Sequence, residues 1–234
     1  MFKFTGVAMS FIKKYFKELF AFIVISFVAI GITMFVLTNI RNSSSDLARN
    51  ILKSKVRGDL KSAQKYIESD FGLLELSNGQ LIDLDKKSID GRFETVDKIL
   101  SDLGTVATVF AKKGDDFIRV ITNIKKSDGS RAVGTMLGKT SAAYSSMISG
   151  ETFIGKANIL GIPYLTGYHP FKNANGEVIG IYFVGVAESE IQSTIDKNVS
   201  SMSAILFTIF GIVIIVLVVG FVFFIKVNLI PAEI

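Results

Sequence analysis

Two stretches of the chain, residues 19–40 and 204–225, are apolar and each runs for 22 positions without an Asp, Glu, Lys or Arg. As helices rising ~1.5 Å per residue, each would be about 33 Å long, which matches a hydrocarbon core of ~30 Å. They predict two transmembrane helices. The first is longer than the ~7–15 residues of a signal-peptide core, and no small-x-small cleavage site follows it, so it reads as an uncleaved anchor. Between the two runs the period changes. Across 42–71 the apolar residues Leu47, Ile51, Leu52, Val56, Leu60, Ala63, Ile67 and Phe71 fall mostly three or four apart, which predicts a helix. Ser43, Ser44, Ser45 and Asp46 offer N-cap chemistry, with a helix running on unbroken from the membrane as the alternative. The stripe serves either to cover the chain's own sheet or, in its outer part, to pair with a second copy, and the two are compatible.

Beyond Gly72 the pattern becomes that of strands and tight turns. Residues 105–112 and 117–124 are rich in Val, Ile, Thr and Phe and flank Gly114-Asp115-Asp116, which predicts a hairpin. After a turn at Ser127-Asp128-Gly129, residues 140–148 read as a short helix. Three more strands follow at 152–159, 162–171 and 178–186, the last two joined across Asn173-Ala174-Asn175-Gly176. Five strands with short links predict an antiparallel sheet in an α+β domain, with the long link between the second and third crossing one face. Ile191, Ile195, Val199 and Met202 then return to helical spacing. The expected layout is a cytoplasmic N-terminus (1–18), first span (19–40), membrane-proximal helix (41–71), folded domain (72–188), connecting helix (189–203), second span (204–225) and the start of a cytoplasmic segment (226–234).

Charge sets the orientation. Lys3, Lys13, Lys14 and Lys17 precede the first span and Lys226 follows the second, so the positive-inside rule puts both ends in the cytoplasm and residues 41–203 outside it, in a cell inner membrane. The outer segment carries 21 Lys+Arg against 19 Asp+Glu, which leaves no electrostatic footprint for nucleic acid. Without cysteine there is no disulfide framework or thiolate metal site, and one histidine makes no metal cluster. No metal, cofactor or catalytic residue is expected. Gly134-Thr135-Met136-Leu137-Gly138-Lys139-Thr140 ends like a phosphate loop but has three residues between its glycines where four are needed. Asp83/Asp85 and Asp115/Asp116 sit at turn signals, where Asp bonds the backbone.

Strand parity proposes a ligand wall. Ile162, Tyr164, Thr166 and Tyr168 share one face of their strand, and Pro163, Leu165, Gly167 and His169 the other. Arg119 lies among Phe117, Ile118, Val120 and Ile121, and a guanidinium in such a run must leave the core or meet an acceptor there. A small carboxylate fits. The alternative for Arg119 is an ion pair with Asp115 or Asp116, for Arg131 a place in solvent, and for Tyr144, Tyr164 and Tyr168 plain aromatic packing.

Gly114-Asp115-Asp116-Phe117-Ile118-Arg119-Val120, Arg131-Ala132-Val133-Gly134-Thr135, Gly161-Ile162-Pro163-Tyr164-Leu165-Thr166-Gly167-Tyr168-His169-Pro170, and Gly176-Glu177-Val178-Ile179-Gly180 through Phe183-Val184-Gly185-Val186 together resemble the single-Cache sensing domain of bacterial methyl-accepting chemotaxis proteins. The likeness extends over about residues 70–190. It implies a PAS-like five-stranded antiparallel sheet, a long N-terminal helix on one face and a small-molecule pocket on the other. The near-heptad stripe itself predicts a homodimer joined through the 42–71 helix. Lys226-Val227-Asn228-Leu229-Ile230-Pro231 resembles the start of a HAMP segment, which implies a cytoplasmic signalling module further on. The similar dicarboxylate and citrate sensor kinases carry Arg-x-x-His where this chain has Arg119-Val120-Ile121-Thr122; one cationic donor fewer implies a smaller anion, a monocarboxylate. The implied ligand-binding set is Arg119, Thr122, Arg131, Tyr144, Tyr164, Thr166 and Tyr168. The function expected is a transmembrane chemoreceptor's sensing region rather than an enzyme. The alternatives are the sensor of a histidine kinase or cyclic-dinucleotide enzyme, and a membrane-anchored protein-interaction domain.

Overall fold

The computed structural model describes residues 2–229, which fall into two compact units: Leu47–Thr194, and the helical segments on either side, residues 2–46 with 195–229. The flanking segments belong to two long helices, α1 (Phe2–Phe71) and α4 (Glu188–Leu229). Both are long and apolar enough to cross a membrane, with mean hydropathy of 2.3 and 3.0 in their most apolar windows. Phe27, Phe35, Ile205 and Val219 stand exposed along them. The hydroxyls of Thr33, Thr38 and Thr208 donate to the carbonyls of Ala29, Met34 and Ala204, so they bring no unmet donor to an apolar surround. Ser45 does the same to Arg41, so the serine run caps nothing and α1 passes through it.

The other unit is built on a sheet. After the small hairpin β1 (Glu75–Ser77) and β2 (Gln80–Ile82) come helix α2 (Glu94–Leu103), strands β3 (Val106–Lys113) and β4 (Asp116–Thr122), the short helix α3 (Tyr144–Ser149), then β5 (Phe153–Ile159), β6 (Ile162–Lys172) and β7 (Val178–Ala187). Five of these strands form an antiparallel sheet in the order β4-β3-β7-β6-β5. The expected α+β, PAS-like architecture is the one found. Helix α2 was not among the expected elements. It begins after Phe93 with no side-chain cap, so the usual N-terminal signal is missing, although Gly104 closes it in the left-handed conformation that glycine favours.

Both faces of the sheet are buried. On one, Val56, Leu60, Ala63 and Ile67 of α1 and Val96 and Ile99 of α2 pack on Ala107, Val109, Leu165, Tyr182 and Val184. At ~1.5–3 kcal/mol per fully buried large aliphatic side chain, this seam holds the helix to the sheet. The apolar stripe of α1 therefore divides: from Val56 onward it is core, whereas Leu47 and Ile51 remain 62% and 59% exposed. Asp59 fastens the same helix, accepting from Lys55 and from the Thr105 hydroxyl just before β3. On the opposite face Phe110, Phe117, Met147, Tyr168, Ile181 and Phe183 form a second core beneath α3.

Two local features set what each face carries. Strand β4 has one extra residue: Val109 faces Ile121 and Phe110 faces Arg119, so Val120 is bulged out of register. Val120 and Ile121 then both join the α1-side core. Close approaches fall at glycines. A Cβ on Gly167 would lie 3.0 Å from Val56, and one on Gly180 would lie 2.2 Å from the Phe171 ring and 2.5 Å from the Phe110 carbonyl oxygen. The Phe110 carbonyl belongs to the paired strand and cannot swing away. Gly180→Ala is therefore expected to destabilise the protein by about 1–3 kcal/mol, the usual cost of overpacking, seen as a lower melting temperature. A wild-type melting temperature would mean that β3 and β7 can separate there without cost.

Candidate ligand-binding site

The α3 side of the sheet presents a buried cation. Arg119 on β4 is 5% exposed, and its guanidinium lies 4.9 Å from the centre of the Phe110 ring. One nitrogen donates to the Thr135 hydroxyl at 2.5 Å, whereas Nε is buried with no hydrogen-bond partner. Among the described residues no carboxylate pairs with it. The two aspartates at the hairpin are otherwise engaged: Asp115 pairs with Lys139, and Asp116 accepts from the backbone N–H groups of Phe117 and Gly138. Burial pulls the guanidinium below its ordinary value, but a group that basic stays charged at neutral pH. A charged group with an unmet donor in an aromatic surround is costly unless an anion completes it.

Strand parity puts part of the expected set on the same face of the sheet as this cation. Tyr168 is buried between Phe153 and Phe183, with ring centres 6.1 and 4.7 Å away, and burial pushes its phenol up to about 12, so it stays protonated at neutral pH. Tyr164 shares this face and packs on the same cluster. Thr166, one step along, donates its hydroxyl to the Gly155 carbonyl at 2.8 Å. The β4 bulge lets Thr122 share the face with Arg119 although the two are three residues apart. Its hydroxyl lies 2.6 Å from that of Thr108.

Two expected residues are held elsewhere. Arg131 makes a two-pronged pair with Asp97 of α2, at 2.8 and 2.6 Å, donates to the Thr122 carbonyl at 2.9 Å and lies over the Phe93 ring at 4.4 Å. That pairing raises its basicity and ties up its guanidinium, so Arg131 anchors α2 and is not gathered with Arg119. Tyr144, on α3, donates its hydroxyl to the Asp115 carbonyl at the β3–β4 turn, fixing the short helix over the hairpin. His169 faces the other side and meets the Thr152 hydroxyl at 2.7 Å.

Phe110, Thr135, Phe153 and Phe183 were not expected in the site. Phe110 was accessible to reasoning, being opposite Arg119 in the predicted hairpin. Thr135 was not, because it reaches Arg119 through an irregular segment that lies along the outer edge of β4: Arg119 N–H donates to the Thr135 carbonyl at 3.0 Å and Gly134 N–H to the Arg119 carbonyl at 2.9 Å. The phosphate-loop-like run is this edge segment and is followed by no helix until Tyr144.

The sequence profile of the Cache 3/Cache 2 fusion domain matches residues 36–204, most of the chain and all of the sheet. This chain belongs to that family. The Cache unit thus carries a Cache-type sensor domain, in the fusion form where the motifs resemble the single form. No curated protein matches the sequence. Among solved structures, the Cache domain is similar to the ligand-binding domain of the Campylobacter jejuni chemoreceptor Tlp3 in complex with L-valine (13% identity, TM-score 0.37). That match covers 68% of this chain and 60% of the Tlp3 domain, so the chain spans less than two thirds of that structure's length. The E. coli DcuS sensor domain is matched at 16% identity and TM-score 0.36, over 61% of this chain and 98% of that one.

The geometry separates the two arginines. Arg131→Ala is expected to loosen α2 and cost about 1 kcal/mol of stability, because Asp97 is half exposed and solvent screens the pair. Denaturant unfolding measures this. A variant as stable as wild type would show that the pair contributes nothing.

Proposed function

We propose that this chain is the sensing region of a transmembrane chemoreceptor of the methyl-accepting type, and that it binds a small monocarboxylate outside the cytoplasm at Arg119. The observation that carries the proposal is the buried guanidinium with an unpaired Nε and no carboxylate partner among the described residues. A carboxylate accepts two parallel N–H bonds from a guanidinium, which supplies both charge and acceptors. With Arg131 held by Asp97, the cluster offers one guanidinium, which favours one carboxylate over two or three. Phe110 lies against it, and Tyr168, Phe183 and Phe153 extend the aromatic face across the sheet, which favours a short apolar body. Thr122, Tyr164 and Thr166 complete this wall. Arg131 and Tyr144 support it from outside, through the Thr122 carbonyl and the β3–β4 turn. The chain acts as a binding module and not as an enzyme.

Helix α4 starts at the residue after β7 ends, so a shift of β7 caused by ligand is passed directly to that helix. Helix displacements of order 1–2 Å are the usual scale of such switching. The lysines at both ends of the sequence favour an inner-membrane protein with cytoplasmic termini. Two copies pair through the 42–71 helix, by the part of its stripe that the sheet leaves uncovered, Leu47 and Ile51. The output lies in a cytoplasmic signalling module; a histidine kinase or cyclic-dinucleotide enzyme is the alternative to a chemotaxis module.

Calorimetry on the full chain in nanodiscs, with acetate, propionate, pyruvate, lactate, malate, succinate and citrate, tests the ligand. A monocarboxylate is expected to bind, and Arg119→Ala to weaken it by roughly 2–5 kcal/mol, much of it from leaving the carboxylate unpaired. At a hundredfold excess over its dissociation constant the acid should stabilise the wild-type chain by ~2.7 kcal/mol. Equal binding by Arg119→Ala would overturn the role of Arg119, and binding of neutral compounds alone would overturn the carboxylate. For the dimer, single cysteines at positions 44–58 in native membranes should crosslink with a period of three to four residues centred on Leu47 and Ile51. A flat profile would remove the α1 interface.

A further inference from the structure

At the end of the sheet remote from the β7–α4 junction, a cavity of about 740 Å³ opens between the last turn of α1, the segment leading into β1, and the β6–β7 turn. It lies on the α1 side, and Arg119 and Tyr168 are not among its lining residues. Its wall includes Leu74, Ile179 and the stacked rings of Phe171 and Tyr182, whose centres are 4.5 Å apart with planes 23° from parallel.

Tyr182 is 2% exposed, and no described residue hydrogen-bonds its hydroxyl; what opening the side chain has is into this cavity. Glu68 lines the same space from α1. Burial and the Glu68 carboxylate together keep the phenol protonated well above its ordinary range. Gln64 donates to Oε1 of Glu68 at 2.7 Å, and no described residue donates to Oε2. The cavity therefore combines an unmet carboxylate oxygen, an unbonded phenol and two aromatic rings. Lys112 and Lys172 also line it, as do Glu177, which accepts from Asn173, and Glu75, which pairs with Lys86; Glu68 is the charge that acts on the buried tyrosine.

This chemistry selects its ligand. An anion is opposed by Glu68. A hard divalent cation wants six or more oxygens and dislikes aromatic walls. An ammonium gains a charge-assisted bond to the carboxylate, a second bond to the phenolic oxygen and attraction to the ring faces, while Leu74 and Ile179 cover an apolar substituent. We propose that this cavity is a second small-molecule site, taking a primary amine with an apolar body, on the opposite face of the sheet from Arg119. The domain then reads two ligands of opposite charge. Both sites touch β7, through Tyr182 on one face and Phe183 on the other.

Saturation-transfer NMR and calorimetry on the full chain in nanodiscs, with 2-phenylethylamine as probe and 2-phenylethanol as its neutral counterpart, test the proposal. Saturable binding of the amine is expected. It should weaken about tenfold or more in Glu68→Gln and several-fold in Tyr182→Phe, the changes that follow from losing a charge-assisted and a neutral hydrogen bond. Arg119→Ala should bind the amine as wild type does. No saturable binding, or equal affinity for the alcohol, would overturn the proposal. If Glu68→Gln does not fold, the nearly isosteric Tyr182→Phe carries the test, and unchanged affinity there overturns it as well.

Discussion

The unit between the two long helices depends on a sheet that must be buried on both faces. A strand alternates its side chains between faces, so each of β3, β6 and β7 supplies two cores at once. The α1 and α2 side is aliphatic and closely fitted, with Gly167 allowing Val56 and Leu60 to come down onto β6. The α3 side is aromatic and contains a charge. One side holds a helix against the sheet and the other encloses a cation among rings. The helix that exits the domain follows β7, one of the strands the two cores share.

Arg119 is the point at which the fold carries an electrostatic cost. A core of the same shape with an apolar residue there would avoid the desolvation of a guanidinium, so the folded chain retains a group that works against its own stability. The Thr135 hydroxyl and the face of Phe110 offset part of that cost but leave Nε unmet. By contrast Arg131 is fully employed, with a carboxylate, a carbonyl and a ring to itself. The two arginines thus differ in which donors are left over.

Most of the fold is legible in the sequence because its signals are strong and local. Two charge-free runs, a 3.6-residue stripe, a short helical segment and five β-rich segments separated by Gly, Asp and Asn mark eight of the eleven described elements; the β1–β2 hairpin and α2 are not marked. Helix α2 escapes because Phe93 provides no cap and its buried residues Thr95, Val96 and Ile99 span barely a turn and a half. The site is legible only where parity carries it: Tyr164, Thr166 and Tyr168 lie on one face as alternation requires. Asp97 as the partner of Arg131, and Thr135 as the partner of Arg119, are long-range contacts made through a missed helix and an irregular edge segment. Local pattern has no access to either.

The extra residue in β4 has a bearing on how related sensors are to be compared. Without it, alternation from Arg119 would turn Ile121 toward the α3 side and Thr122 toward α1. With Val120 bulged, the order is reversed and the hydroxyl of Thr122 is the one that shares the cation's side. What this strand presents on each face is therefore set by a reading frame as well as by residue identity. Two sequences that align without a gap can still present different side chains to the same ligand if only one of them carries the bulge.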